Sequence, residues 1–162
     1  MPSKATKPIP QGYHSVTPYM VIRDAAKAID FYKKAFGAVE KFRMAGPDGK
    51  IGHAEIQIGD SMIMISDENP QWGTKSPQTL GGTPVGIFLY VPDVDATFKQ
   101  AISAGAKEVM AVTDQFWGDR YGKVADPFGH AWNLATHKED LTPAEIEERA
   151  KKAFAHGAGS QT

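Results

Sequence analysis

The sequence contains no cysteine. That absence removes disulfides, thiolate nucleophiles and cysteine-ligated zinc from consideration. Positive charge is not in surplus either: 18 Lys and Arg stand against 19 Asp and Glu, a formal charge of -1. Such a balance does not attract a phosphate backbone, so no nucleic-acid partner is expected. No apolar run approaches the roughly 18 residues that span a bilayer. The opening MPSKATKPIPQG is polar and Pro-rich, without the apolar core of a secretory signal. The expectation is a soluble cytoplasmic chain with no membrane partner. What remains is globular composition, 41% hydrophobic and 23% charged over 162 residues, enough for one domain with its own core.

Residues 1–13 read as a flexible arm. Val16–Ile22 is strand-like, with Pro18 favouring a strand start or edge. Asp24 is placed to cap a helix whose apolar positions, Ala25, Ala28, Ile29, Tyr32, Ala35 and Phe36, fall on one face, and Gly37 ends it. A strand over Val39–Met44 leads through the turn Gly46-Pro47-Asp48-Gly49 to strands Ile51–Ile58 and Met62–Ser66, joined at Gly59-Asp60. After a Pro- and Gly-rich connection (68–84) the order recurs. Val85–Val91 is a strand, Asp93 caps a helix carrying Val94, Phe98, Ala101 and Ile102 on one side, and Gly105 stops it. Strands near Glu108–Val112, Tyr121–Ala125 and His130–Thr136 follow. Asp24 and Asp93, Gly37 and Gly105, and the GDSMIMIS and GHAWNLAT segments lie 69, 68 and 70 residues apart. A near-constant offset argues for two structural repeats rather than two unrelated βα units. Thr142-Pro143-Ala144-Glu145 is a helix start, predicting a C-terminal helix to about Ala155.

Two segments carry candidate chemistry. Strand 51–58 alternates, with His53, Glu55 and Gln57 on one face and Ala54, Ile56 and Ile58 on the other. A Glu beside a His fixes an imidazole tautomer or raises its pKa, which suits general-base work, and this makes His53 and Glu55 the catalytic candidates; a plain solvated face is the alternative. The segment Asp114–Gly122 reads as a loop bearing Phe116, Trp117, Arg120 and Tyr121. Rings stack on flat ligands and an Arg fork binds carboxylate or phosphate; aromatics folded onto the core are the alternative.

The runs AIDFYKKAFGA (28–38), GHAEIQIGDSMIMISDE (52–68), YVPDVDATFKQAISAGA (90–106) and DQFWGDRYGKVADPFGHAWNLATHKEDLTP (114–143) resemble the vicinal-oxygen-chelate superfamily of glyoxalases, bleomycin-resistance proteins and extradiol dioxygenases, and within it the PhnB-like branch. The resemblance implies an α+β fold of two tandem βαβββ modules pairing into a cup-shaped sheet, with helices outside and an extra C-terminal helix. It divides the chain into the arm 1–13, one glyoxalase-like domain 14–140 (module one 14–67, connection 68–84, module two 85–137) and a helix and tail 141–162. Metal-dependent members carry His or Glu on the first and last strand of each module. The matching positions here are Thr17, Met64 or Ile63, Gly86 and Asn133, none of them imidazole or carboxylate. No metal and no cofactor are therefore expected.

Against that frame the ligand-contacting candidates are Thr17, Gln57, Met64, Phe116, Trp117, Arg120 and Asn133. The leading function is binding of a planar or partly hydrophobic small molecule. One alternative is a metal-free isomerase or lyase using His53 and Glu55 for proton transfer. Another is a metal-dependent lyase or dioxygenase-type enzyme with relocated ligands, His53 and Glu55 joined by His130 or His137. The C-terminal helix offers a surface for a homodimer.

Overall fold

The computed structural model describes residues 6–157; the outermost parts of the predicted arm and tail, 1–5 and 158–162, lie outside the described residues. The described chain holds two compact units, one of residues up to Thr83 with Pro127–Gly129, the other of residues 84–126 with those from His130 onward.

In the first unit, strands β1 (Tyr19–Ile22), β2 (Val39–Ala45), β3 (Ile51–Ile58) and β4 (Ser61–Asp67) form an open sheet in the order β1-β4-β3-β2, with helix α1 (Ala25–Phe36) on one face. A 3-10 turn at Pro70–Trp72 and the single-turn helix α2 (Pro77–Leu80) fill the connection. The second unit repeats the plan. Strands β5 (Gly86–Tyr90), β6 (Lys107–Asp114), β7 (Asp119–Ala125) and β8 (Ala131–His137) are ordered β5-β8-β7-β6, and helix α3 (Val94–Ala104) covers one face. The first strand of each sheet runs parallel to the last and the other pairs are antiparallel. Helix α4 (Pro143–Gly157) follows β8. The fold is α+β with two open four-stranded sheets and an added C-terminal helix, as the sequence predicts.

The first core lies between α1 and its sheet. Ala54, Ile56, Ile65, Ile22, Ala28, Ile29 and Tyr32 are all fully buried, and Phe31 joins them against Phe128 of the 127–129 turn, rings 6.2 Å apart. Each large apolar side chain withdrawn from water contributes about 1.5–3 kcal/mol. The start of α1 departs from expectation. Asp24 makes no side-chain cap and adopts a left-handed backbone, φ 68°. Asp67, from the end of β4, supplies the cap. Its Oδ1 accepts from the Asp24 and Ala25 amides at 2.9 and 3.0 Å, and its Oδ2 from the Ile51 amide at 2.7 Å. One carboxylate thus ties the helix start to the start of β3. Asp93 does cap α3, accepting from the Ala96 amide at 2.9 Å. Thr142 and Glu145 form the reciprocal box at α4: Glu145 Oε2 accepts from the Thr142 amide at 2.8 Å, and the Thr142 hydroxyl accepts from the Glu145 amide at 3.3 Å.

The second core centres on Trp132, Leu134, Val124, Val94 and Phe98, while Ile102 is more than a third exposed. Phe98 settles directly over Gly122, where an added Cβ would meet the ring at 3.1 Å, so the missing side chain sets how closely α3 approaches β7. The predicted loop 114–122 is mostly strand. Only Gln115–Gly118 turns, closed by the Gln115 amide on the Asp119 carbonyl at 2.8 Å. Gly118 sits at φ 97°, and a Cβ there would meet the Glu139 carbonyl at 2.6 Å. The Gly118 carbonyl accepts from the Lys138 and Glu139 amides, both at 3.0 Å, so the chain leaving β8 is bonded across the hairpin tip.

Candidate functional site

In each unit the sheet face opposite the helix carries the chemistry. On the first sheet β3 shows the predicted alternation: Ala54, Ile56 and Ile58 are buried, and His53, Glu55 and Gln57 half-buried on the other side. An irregularity between Glu40 and Phe42 turns Phe42 onto the face of Glu55. The register then builds a row across the four strands: Phe42 beside Glu55, Glu55 beside Met64, Met64 beside Tyr19. This resolves the uncertain position in favour of Met64, because Ile63 is 4% exposed and pairs with Ile56 on the core side.

His53 Nε2 lies 3.3 Å from Glu55 Oε1 and its Nδ1 3.5 Å from the Tyr19 hydroxyl. The Tyr19 and Phe42 rings flank the imidazole at 5.8 and 6.3 Å. Gln57 Nε2 donates to the Gly59 carbonyl at 3.0 Å, a turn contact. Thr17 is half-buried but precedes β1, which begins three residues later than expected.

A residue unforeseen in the sequence completes this face. Tyr13, from the end of the predicted flexible arm, brings its hydroxyl to the Glu55 carboxylate. The phenol is pushed up to about 12 by burial and by that carboxylate, while the Glu55 carboxyl is held below its usual range, first by Tyr13 and then by His53. Glu55 is therefore an anion at neutral pH. Yet the Tyr13 oxygen is sealed from solvent and makes no hydrogen bond of ordinary geometry. The phenol leans on the carboxylate without closing a bond to it.

On the second sheet an aromatic surface runs from Phe88 to Tyr90 (centroids 5.0 Å), from Phe88 to Tyr121 (5.9 Å) and from Tyr121 to Trp117 (5.8 Å). Their polar tips are tied down. Asp119, 3% exposed, accepts from the Tyr90 hydroxyl at 3.0 Å, the Trp117 indole at 3.1 Å and His137 Nδ1 at 2.8 Å. His137 Nε2 reaches Asp140 at 3.0 Å. The two carboxylates, Asp140 foremost, raise the imidazole pKa and favour its doubly protonated form, which donates to both. The Tyr121 hydroxyl donates to Asn133 Oδ1 at 2.7 Å, and the Asn133 amide reaches the Ile87 carbonyl at 3.4 Å. A Cβ added at Gly86 would lie 2.6 Å from Asn133 Nδ2, so the amide occupies the space above that glycine.

Trp117 and Phe116 thus belong to a pinned hairpin, Phe116 resting edge-on against Phe154 of α4 at 5.7 Å. The Arg120 guanidinium is bonded to Asp95 at 2.6 and 2.8 Å and to Asp114 at 3.0 Å, on the helix side of β7, where it braces α3. His130 stands at the 126–130 turn, its amide donating to Asp126 at 2.9 Å. Tyr19 was legible as a same-face neighbour of Thr17, two positions on. Phe88 and Tyr90 had the same period-2 signal in β5, whereas Tyr13, Phe42 and Asp119 had none.

This geometry sits on a recognised scaffold: a model of the glyoxalase/bleomycin resistance protein/dioxygenase superfamily matches residues 13–134, and the chain belongs to that family. Among its relatives, uncharacterized protein Mb0911c of Mycobacterium bovis is 53% identical over 136 residues, covering 82% of this chain and 90% of the relative. Protein YjdN of Escherichia coli is 28% identical over 121 residues, covering 68% and 80%. Of solved structures, the Arabidopsis thaliana At5g48480 gene product superposes with TM-score 0.62 at 28% identity, covering 76% of this chain and 98% of that one. A PhnB protein from Bacillus cereus shares the fold at TM-score 0.59 and 16% identity, over 76% and 99%. The family's own description spans enzymes and a resistance protein, so membership leaves the chemistry to be argued from side chains.

Proposed function

We propose that this chain is a small-molecule-binding member of the superfamily that takes a planar, partly hydrophobic ligand without a metal. The observation carrying this reading is the aromatic surface of the second sheet. Phe88 is 47% and Tyr90 59% exposed, yet Tyr90, Trp117 and Tyr121 are each fixed through a hydrogen bond to Asp119 or Asn133. Tyr90 is both bared and tied, and Phe88 packs against it and the tied Tyr121, so the rings form a stacking platform whose ordering cost is largely met during folding.

The donor set at the family's metal positions supports the same reading. Thr17, Met64, Gly86 and Asn133 offer a hydroxyl, a thioether, nothing and an amide already bonded to Tyr121. Divalent ions are held tightly by carboxylate oxygens or, for the softer ones, imidazole, and this set supplies neither. Among the described residues no three His, Cys, Asp or Glu side chains gather as a cation site, which the relocated-ligand alternative requires.

The test is titration with neutral planar aromatics, followed by calorimetry. Saturable binding is expected, weakened about tenfold by Phe88→Ala, the loss of roughly one stacked ring. A broad aromatic panel without one saturable binder would remove the proposal.

The 3.3 Å contact between His53 and Glu55 favours one second reading, metal-free proton transfer with His53 as base and Glu55 as its orienting anion. For any activity detected, His53→Ala should then cost about 100-fold or more in kcat. A loss below about tenfold would eliminate that role.

A further inference from the structure

On the first sheet, we infer that Glu55 anchors the ammonium group of an amine-bearing planar ligand, and that the Tyr13 hydroxyl occupies the ammonium's place until the ligand arrives. The inference concerns the first sheet alone and goes beyond the small-molecule-binding reading above by assigning this face an organic cation.

The row across the sheet provides the geometry. Adjacent strands stand about 4.8 Å apart. Along one line the sheet presents a benzene ring (Phe42), a carboxylate (Glu55), a thioether (Met64) and a phenol (Tyr19). Phe42 and Tyr19 are 49% and 51% exposed. A carboxylate between ring faces and a polarisable sulfur is the arrangement that receives an organic cation: the anion neutralises it, and the rings attract it through their quadrupoles.

Among the described residues Glu55 has no Lys or Arg partner, and its one charge contact is the 3.3 Å approach of His53. The other glutamates of this unit are already served: Glu40 is paired with Lys33 and Arg43, and Glu68 with Arg23. Among the three described glutamates of this unit, Glu55 is the one with acceptor capacity left.

Tyr13 is the second, independent observation. A buried hydroxyl without an ordinary hydrogen bond costs about 1–3 kcal/mol where it stands, so the arm does not bring Tyr13 there to complete the fold's hydrogen bonding. A neutral donor resting beside an ionised carboxylate is readily exchanged for a stronger, charged donor. Displacement of the phenol exchanges a neutral donor for a charged one, and charge-assisted bonds are roughly twice as strong.

The experiment compares three naphthyl probes on the full chain by calorimetry: 2-naphthylmethylammonium, 2-naphthylmethanol and 2-naphthoate. The ammonium is expected to bind at least about tenfold tighter than the alcohol, and the carboxylate weakest. Glu55→Gln, isosteric and uncharged, should erase the preference while leaving the alcohol's affinity within about twofold. Tyr13→Phe, which removes only the competing hydroxyl, should tighten the ammonium severalfold. The preference should also fade as pH falls through the lowered carboxyl range of Glu55. Equal binding of ammonium and alcohol, or a preference that survives Glu55→Gln, overturns the cation assignment and leaves the planar-ligand reading standing. Failure of all three probes and of the neutral aromatic panel overturns both.

Discussion

Asp67→Ala should lower the folding free energy by about 3–5 kcal/mol, among the largest losses available outside the apolar core. Three backbone donors, the Asp24, Ala25 and Ile51 amides, converge on that carboxylate. Removing it orphans all three together. A hydrogen bond to a charged group contributes about 1.5–3 kcal/mol, a helix cap about 0.5–2 kcal/mol, and neighbouring losses are not additive, which gives the range above. Asp24 cannot take over, because its left-handed backbone directs its own side chain to Lys27. Asp67→Asn retains one acceptor oxygen and should recover about half the loss. The urea midpoint measures both. A loss below about 1 kcal/mol for the alanine variant would show that α1 holds its start by packing alone.

Trp132→Ala should cost about 4–5 kcal/mol for two separable reasons. The ring is fully buried at the centre of the second core, and deleting a side chain of that size leaves a cavity that typically costs 3–5 kcal/mol. The indole also donates to Asp126 Oδ2 at 3.0 Å, and Asp126 is 5% exposed. Trp132→Phe keeps most of the volume and deletes the donor, leaving a smaller cavity, so it should cost about 1.5–3 kcal/mol. Denaturant unfolding of both variants separates the contributions. A phenylalanine variant as stable as the native chain would refute the Asp126 contribution, and an alanine variant losing under about 2 kcal/mol would refute the central place of the ring.

These two residues also show what the sequence displays and what it conceals. The alternation in Ile51–Ile58 is a local, period-2 signal, and β3 begins and ends where that pattern does. Thr142 and Glu145 sit three residues apart, so their reciprocal cap is equally local. Asp67 is different. It caps a helix that starts 42 residues earlier in the chain, and only the parallel pairing of β1 with β4 brings it there. Asp24 has the right residue type in the right place for a cap, and the fold uses another.

The candidate site divides along the same line. Glu55, His53 and Met64 share a face because pleat and register require it. Phe42 joins them only through an irregularity in β2, and Tyr13 only through the course of the arm. Arg120 looked like an open fork because its partner Asp95 belongs to a helix 25 residues away. The Gly118 turn misled in the opposite direction: glycine and aromatics imitate a long loop, while the Arg120, Gly122 and Val124 alternation already marked a strand.

The amide lying above Gly86 also limits the routes by which this scaffold could change its chemistry. A side chain introduced at 86 brings its first carbon to 2.6 Å from Asn133 Nδ2, so the Asn133 amide must turn aside, disturbing its bonds to Tyr121 and Ile87. The reverse order is open: exchange at 133 first vacates the space, at the expense of the Tyr121 tether. Ligand-bearing side chains at both positions of this half are thus reached more easily when 133 changes before 86.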